Sequence, residues 1–182
     1  MLEKFLDGFK YSLRNERPML RRYVILGAFD GVLLSLGVLV SSTLAGAPVK
    51  ITEISVLTGL VAIGISSAWN SLIVEVKERR IEYERLERQM MKRLKGSVYD
   101  YGMKATIILS VLSHGLSPFL GLLALFLLLV TNRLVYAMAV SFAELFLLGL
   151  AYEGSKWDKI RSGLFIALGG VFTVVLSLLL GK

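Results

Sequence analysis

Tyr23-Val-Ile-Leu-Gly27-Ala-Phe-Asp30-Gly31-Val-Leu-Leu-Ser35-Leu-Gly37 sits inside a run of 27 residues, from Tyr23 to Val49, whose single charge is Asp30. A run of this length and apolarity is long enough to cross a bilayer as a helix. A carboxylate inside such a helix costs about 2.5–3.5 kcal/mol on insertion scales, so it persists where it is paired, solvated in a cavity, or used. Asp30 is therefore the first candidate functional residue. Gly27 and Gly31 bracket it at a spacing that lets another helix approach closely.

Working outward, four more segments have few or no charges. The expected spans are about 22–45, 52–75, 103–130, 133–152 and 159–181. Pro118 lies within the third and removes a backbone donor, so a kink is expected there. The chain is 55% hydrophobic with mean hydropathy +0.67, more apolar than ordinary soluble domains. Six Lys/Arg fall in residues 1–22, nine in 77–104 and three in 153–161, while Lys50, Arg133 and Lys182 stand alone. That bias expects a cytoplasmic N-terminus and an outward C-terminus. The net charge of +7 then reflects flanks facing anionic lipid, with no nucleic-acid partner expected. No cleavable signal peptide is expected, because Glu3, Asp7 and Glu16 interrupt the first twenty residues.

Residues 1–19 read as an amphipathic interfacial helix, with Leu2, Phe5, Leu6, Phe9 and Leu13 on one face. Residues 20–182 form the membrane domain. Its second helix meets no glycine or proline from Leu72 to Leu94, so it is expected to run about twenty residues into the cytosol, over 76–95, with Gly96 ending it. The fold class is an all-α membrane protein. There is no internal repeat and no cysteine, which excludes disulfides and thiolate metal sites. With one histidine, His114, a multi-histidine metal site within one chain is excluded too.

Polar residues recur on helix faces inside the spans. Ser67, Ser71 and Glu75 repeat every four residues, with Ser66 and Asn70 beside them and Glu78 and Glu82 continuing the stripe. Ser110, Ser113, His114 and Ser117 share a face, as do Ser141 and Glu144. Two readings stand at each. Serine stripes glue helices together, and Glu144 and His114 are packing residues, or the faces line an ion or proton path. Glu75, Glu78, Glu82, Glu84 and Glu87 have eight Lys/Arg among them between 75 and 95, so a solvated helix face competes with cation attraction. Met90 and Met91 read as packing or as soft ligands.

The segment Phe29-Asp30-Gly31-Val-Leu-Leu-Ser35-Leu-Gly37 resembles the first helix of the vacuolar iron transporter family. Gly59-Leu60, the small residues 64–68, the Glu-Arg-rich extension with Leu86-Glu87, Gly115-Leu-Ser-Pro118 and Gly169-Gly170 extend the likeness over residues 20–181, nearest to short archaeal members. The resemblance implies a homodimer of five-helix protomers that exports Fe²⁺, and Mn²⁺ too, in exchange for protons, with Asp30 on the path. The chain departs from that pattern at Ser66-Ser67-Ala68-Trp69-Asn70-Ser71, where the better-known members carry a methionine and a mid-membrane glutamate. It also keeps only the 76–95 extension of their cytosolic metal-binding domain.

The expected function is proton-coupled export of Fe²⁺ or Mn²⁺ from a prokaryotic cytosol through the cell membrane. The expected metal ligands are Asp30, Asn70, Glu75, Glu78 and Glu144, with Asp30 and Glu144 coupling protons. Glu82, Glu84, Glu87, Met90 and Met91 are the candidates for cytosolic capture. No tightly bound cofactor and no enzymatic activity are expected. The competing expectation is a non-transporting scaffold or regulatory partner that docks through 76–95.

Overall fold

The computed structural model describes residues 2–180, and the side chains of residues 6–180. Leu2 and Phe5 of the expected apolar stripe, and Lys182, lie outside the described residues or side chains. The elements are α1 (Leu2–Asn15), α2 (Arg17–Leu44), α3 (Val49–Met90), α4 (Val98–Leu116), a 3-10 turn (Ser117–Gly121), α5 (Leu122–Thr131), α6 (Leu134–Leu150) and α7 (Lys156–Leu180). The described residues contain no strand.

Local chemistry sets most boundaries. Pro18 falls in the first turn of α2, where its missing N–H is not needed. Gly46, at φ 63°, turns the chain between α2 and α3. Pro118 breaks the third apolar segment as expected, and the break takes the form of the 3-10 turn between α4 and α5.

α3 has 42 residues, about 63 Å at 1.5 Å per residue. It ends at Met90, short of the expected 95. Met91 takes the left-handed conformation at φ 47°, and the Glu87 carboxylate accepts the Leu94 N–H at 2.7 Å, folding the chain back. Gly96 does not end α3. Its N–H donates to Asp100 Oδ2 at 2.9 Å, at the start of α4.

α1 ends at Asn15, just before Pro18, so residues 17–19 of the expected 1–19 segment belong to α2. α1 does not lie free. It packs on α4 through its small-residue face, with Gly8 against Tyr101 and Gly102 and a buried 2.8 Å hydrogen bond between the Ser12 and Thr106 hydroxyls. Leu6 and Leu13, on its apolar face, remain exposed.

Close contacts give the helix directions. Leu34 meets Gly59 and Tyr23 meets Glu75, so α2 and α3 are antiparallel. Gly64 meets Phe119 and Ala68 meets Gly115, which sets α3 against α4. Gly149 meets Gly163 and Leu145 meets Gly170, so α6 and α7 are antiparallel. Phe29 meets Gly169 and Gly37 meets Thr173, so α2 and α7 are parallel. The chain therefore reverses after α2, α3, α5 and α6, whereas α1, parallel to α4, runs in the same sense as α2, and α2 is the central helix.

Both bracketing glycines of α2 are used. A Cβ on Gly31 would overlap the Pro118 backbone, and one on Gly27 would overlap Ser117 and the His114 carbonyl. At one end of the bundle, Leu39, Val56, Leu60, Ala124, Leu125 and Ala137 form an apolar core. Among the described residues, four helical segments are long and apolar enough to cross a membrane: Arg17–Leu44, Val49–Met90, Val98–Thr131 and Lys156–Leu180. Leu134–Leu150 is apolar but shorter, 17 residues or about 26 Å.

Candidate functional site

Asp30 lies near the middle of α2, and its side chain is exposed on the isolated chain. On a helix each residue turns about 100°. Asp30 therefore sits between the flank of α2 that meets α3 through Leu34 and the flank that meets α7 through Phe29 and Leu33. It occupies the floor of an open furrow between α3 and α7.

The same rotation places Ser66 and Asn70 of α3 on the flank of Gly59, which abuts Leu34. Both are exposed, whereas Ser67, Ser71 and Glu75 are buried. The α3 polar stripe is thus two faces. Ser66 and Asn70 border the furrow, and the antiparallel register puts Ser66 at about the depth of Asp30. His114 packs behind Gly27, one turn of α2 from Asp30. Its Nδ1 is buried without a partner.

Glu75 belongs to a different structure. It is fully buried. The Tyr23 hydroxyl donates to its Oε1 at 2.7 Å, and Arg79 Nε donates to its Oε2 at 2.9 Å. Arg79 also reaches Glu16 at 3.0 Å, Glu82 at 2.7 Å and the Met19 sulfur at 3.0 Å. Tyr23 in turn packs on His114, with ring centroids 5.1 Å apart. Both oxygens of Glu75 are spoken for, and a buried ion pair of this kind holds only with such additional hydrogen bonds. As a metal ligand Glu75 would first have to give up Arg79.

Glu144 is the opposite case. Both carboxylate oxygens are buried with no hydrogen-bond partner. Neither a serine nor His114 bonds to it, and Ser141 donates to the Ala137 carbonyl at 2.9 Å instead. Because Leu145 meets Gly170 and Phe29 meets Gly169, Glu144 and Asp30 stand at about the same depth. The serines of the third apolar segment also bond mostly to their own backbone, Ser110 to Thr106 O at 2.8 Å and Ser117 to His114 O at 3.3 Å.

Among the described residues, no three His, Asp or Glu side chains converge as a metal site would require. Asp30, Asn70, Glu75, Glu78 and Glu144 accordingly do not form one site within a chain, and Glu78 is exposed on the α3 extension. The expected capture residues are scattered too. Glu82 pairs with Arg79, Glu84 with Arg80 at 3.1 Å, and Glu87 accepts the Leu94 N–H. Glu84, Glu87 and Met91 share a surface hollow, but Arg88, Lys92 and Arg93 line it as well, which opposes a cation. Met90 is exposed.

The Glu75 network was only partly legible beforehand. Arg79 is four residues after Glu75 and three before Glu82, a spacing that pairs charges on a helix. Tyr23, Glu16 and Met19 come from more than fifty residues away and leave no local signal.

No described protein family matches the chain, and no solved structure does. The chain is similar to an uncharacterized protein of the archaeon Methanocaldococcus jannaschii, 25% identical over 170 residues that cover 88% of each chain. Among the described residues the protein is all-α, with four helical segments of membrane-crossing length and a mid-helix carboxylate open on one side.

Proposed function

We propose that the protein is an integral membrane transporter that exports a divalent transition-metal cation, Fe²⁺ or Mn²⁺, from the cytosol in exchange for protons. The observation that carries this reading is Asp30, a carboxylate in the middle of a membrane-length helix and exposed on the outside of the protomer. In lipid such a charge needs a cover. A second copy packed furrow to furrow supplies one and brings two Asp30 carboxylates together, with Ser66 and Asn70 oxygens at the rim. Carboxylate, amide and hydroxyl oxygens suit Mn²⁺, and extend to Fe²⁺ at loosely octahedral sites.

The exchange follows from charge. Two carboxylates facing each other in a low-dielectric site favour either shared protons or a dication over two bare negative charges. Metal entering from one side displaces protons, and protons returning from the other displace metal. The unpaired Glu144, at the same depth, is the second proton-coupling group. The reversing chain supports five crossings, with α6 as the fourth, shorter one. The basic end of the bundle would face the cytosol, with the N-terminus inside and the C-terminus outside in a prokaryotic cell membrane. The resemblance to the vacuolar iron transporter family points the same way.

The test is flux in proteoliposomes carrying a pH-sensitive dye, with a panel of divalent ions. Fe²⁺ or Mn²⁺ uptake accompanied by counter-movement of protons is expected. Liposomes silent to every ion, with purified protein that binds neither Fe²⁺ nor Mn²⁺ saturably, would instead favour a docking role for the α3 extension.

A further inference from the structure

α1 packs on α4, whereas the Asp30 furrow lies between α3 and α7, so α1 stands outside the surface that a second copy would cover. Its contact with α4 is small and polar. Gly8 lies against Tyr101 and Gly102, the Ser12 and Thr106 hydroxyls bond at 2.8 Å, and the Tyr11 and Tyr99 rings meet edge-on with centroids 5.6 Å apart. The opposite side of the helix differs. Leu6, Lys10 and Leu13 fall at i, i+4 and i+7, one stripe of a helix. All three are exposed, as is Arg14 beside them, which Asp7 borders. Among the described residues neither Lys10 nor Arg14 forms an ion pair. The joint between α1 and α2 can bend. Pro18 has no N–H to offer the Arg14 carbonyl, and the Leu13 carbonyl accepts from Arg17 Nε at 3.2 Å. Glu16, at the joint, is pinned to Arg79 of α3 at 3.0 Å. The pivot is therefore held while the arm beyond it is not.

We infer that α1 is an arm for an anionic cytosolic leaflet, turning about Glu16 from α4 onto the membrane surface. There it sinks Leu6, Phe9 and Leu13 and leaves Lys10 and Arg14 among the lipid phosphates. The inference rests on the membrane reading with a cytoplasmic N-terminus, and not on the transported ion. The membrane-length helix α2 begins directly after the joint, so the arm starts at the bilayer surface. Leucines interleaved with unpaired cations on one exposed side suit the boundary between acyl chains and negative headgroups. Leaving α4 costs little, because water replaces the hydroxyl bond of Ser12 and Thr106. A second copy of the chain is a poorer occupant, since a two-fold contact centred on the stripe would set Lys10 against Lys10.

The chain has no cysteine, so the disulfide yield of a Ser12→Cys/Thr106→Cys pair reports the docked position of α1. The experiment compares that yield for the whole chain in phosphatidylcholine liposomes and in liposomes of phosphatidylcholine mixed equally with phosphatidylglycerol. A lower yield with phosphatidylglycerol is expected. Lys10→Gln and Arg14→Gln should each shift the docked-to-free ratio back about fivefold, the ~1 kcal/mol a basic residue contributes at an anionic surface, whereas Arg14→Lys should not. A bimane probe on Leu6→Cys, at an exposed position that leaves the α4 contact intact, should shift to the blue only with phosphatidylglycerol. Equal yields in the two lipids, a lipid effect that survives both Gln substitutions together, or a probe that stays in water would overturn the proposal. Alkaline carbonate washing of the same liposomes tests the membrane reading separately. Retained protein with equal yields sinks the arm alone, and protein washed off sinks the membrane reading with it.

Discussion

Glu75 and Asp30 are both carboxylates on apolar helices, and they are held in opposite ways. Glu75 is fully buried and has a hydroxyl on one oxygen and a guanidinium on the other. Asp30 is exposed, and among the described residues it makes no hydrogen bond or ion pair. The first arrangement is complete within one chain and ties α2 to α3. The second is incomplete, so an ion, a proton or another protomer can still change its state. A polar stripe in a sequence does not tell these apart, because the difference lies in what the other helices bring to each position.

The comparison breaks first at Arg79. Arg79→Ala should destabilise the protein by about 3–5 kcal/mol, because it leaves Glu75 as an uncompensated buried charge. Thermal or denaturant unfolding in detergent would show it, and the double variant with Glu75→Gln should recover much of the loss. If Arg79→Ala unfolds like the parent, the network is not structural and Glu75 returns as a candidate ligand.

Gly31→Ala comes next. The added Cβ meets the Pro118 backbone, which cannot move like a side-chain tip, so a loss of about 1–3 kcal/mol is expected in the same assay. A neutral result would mean that α2 and the 3-10 turn are not packed this closely.

Glu144→Leu sharpens the contrast from the other side. Removing a buried carboxylate that lacks partners should raise stability by about 1–3 kcal/mol, while the proton movement that accompanies metal flux falls. Unchanged proton coupling would remove Glu144 from the path. The smallest effect belongs to the exposed end of α3. Glu78→Gln should raise the apparent KM for metal more than it lowers the maximal rate, since an exposed carboxylate there can only concentrate cations at the mouth.

Most of the fold was legible in hydropathy and punctuation. The first expected span, 22–45, lies almost wholly within Arg17–Leu44, the last, 159–181, overlaps Lys156–Leu180, and Pro118 marked a real break. The early end of α3 was not legible, because it depends on Glu87 capturing a backbone N–H seven residues on. The packing of α1 was hidden for another reason. An amphipathic pattern reports the apolar face, whereas α1 meets α4 through Gly8 and Ser12. At the candidate site, Asp30 stood out as an isolated charge. The division of the α3 stripe into Glu75 on one face and Ser66 and Asn70 on another required the position of α2.

The most direct measurement is metal-driven proton movement by Asp30→Asn in proteoliposomes, run beside its unfolding curve. The account predicts that flux is lost while stability is unchanged or raised, since a neutral side chain replaces a charge in the membrane. Normal flux in that variant would contradict the central claim.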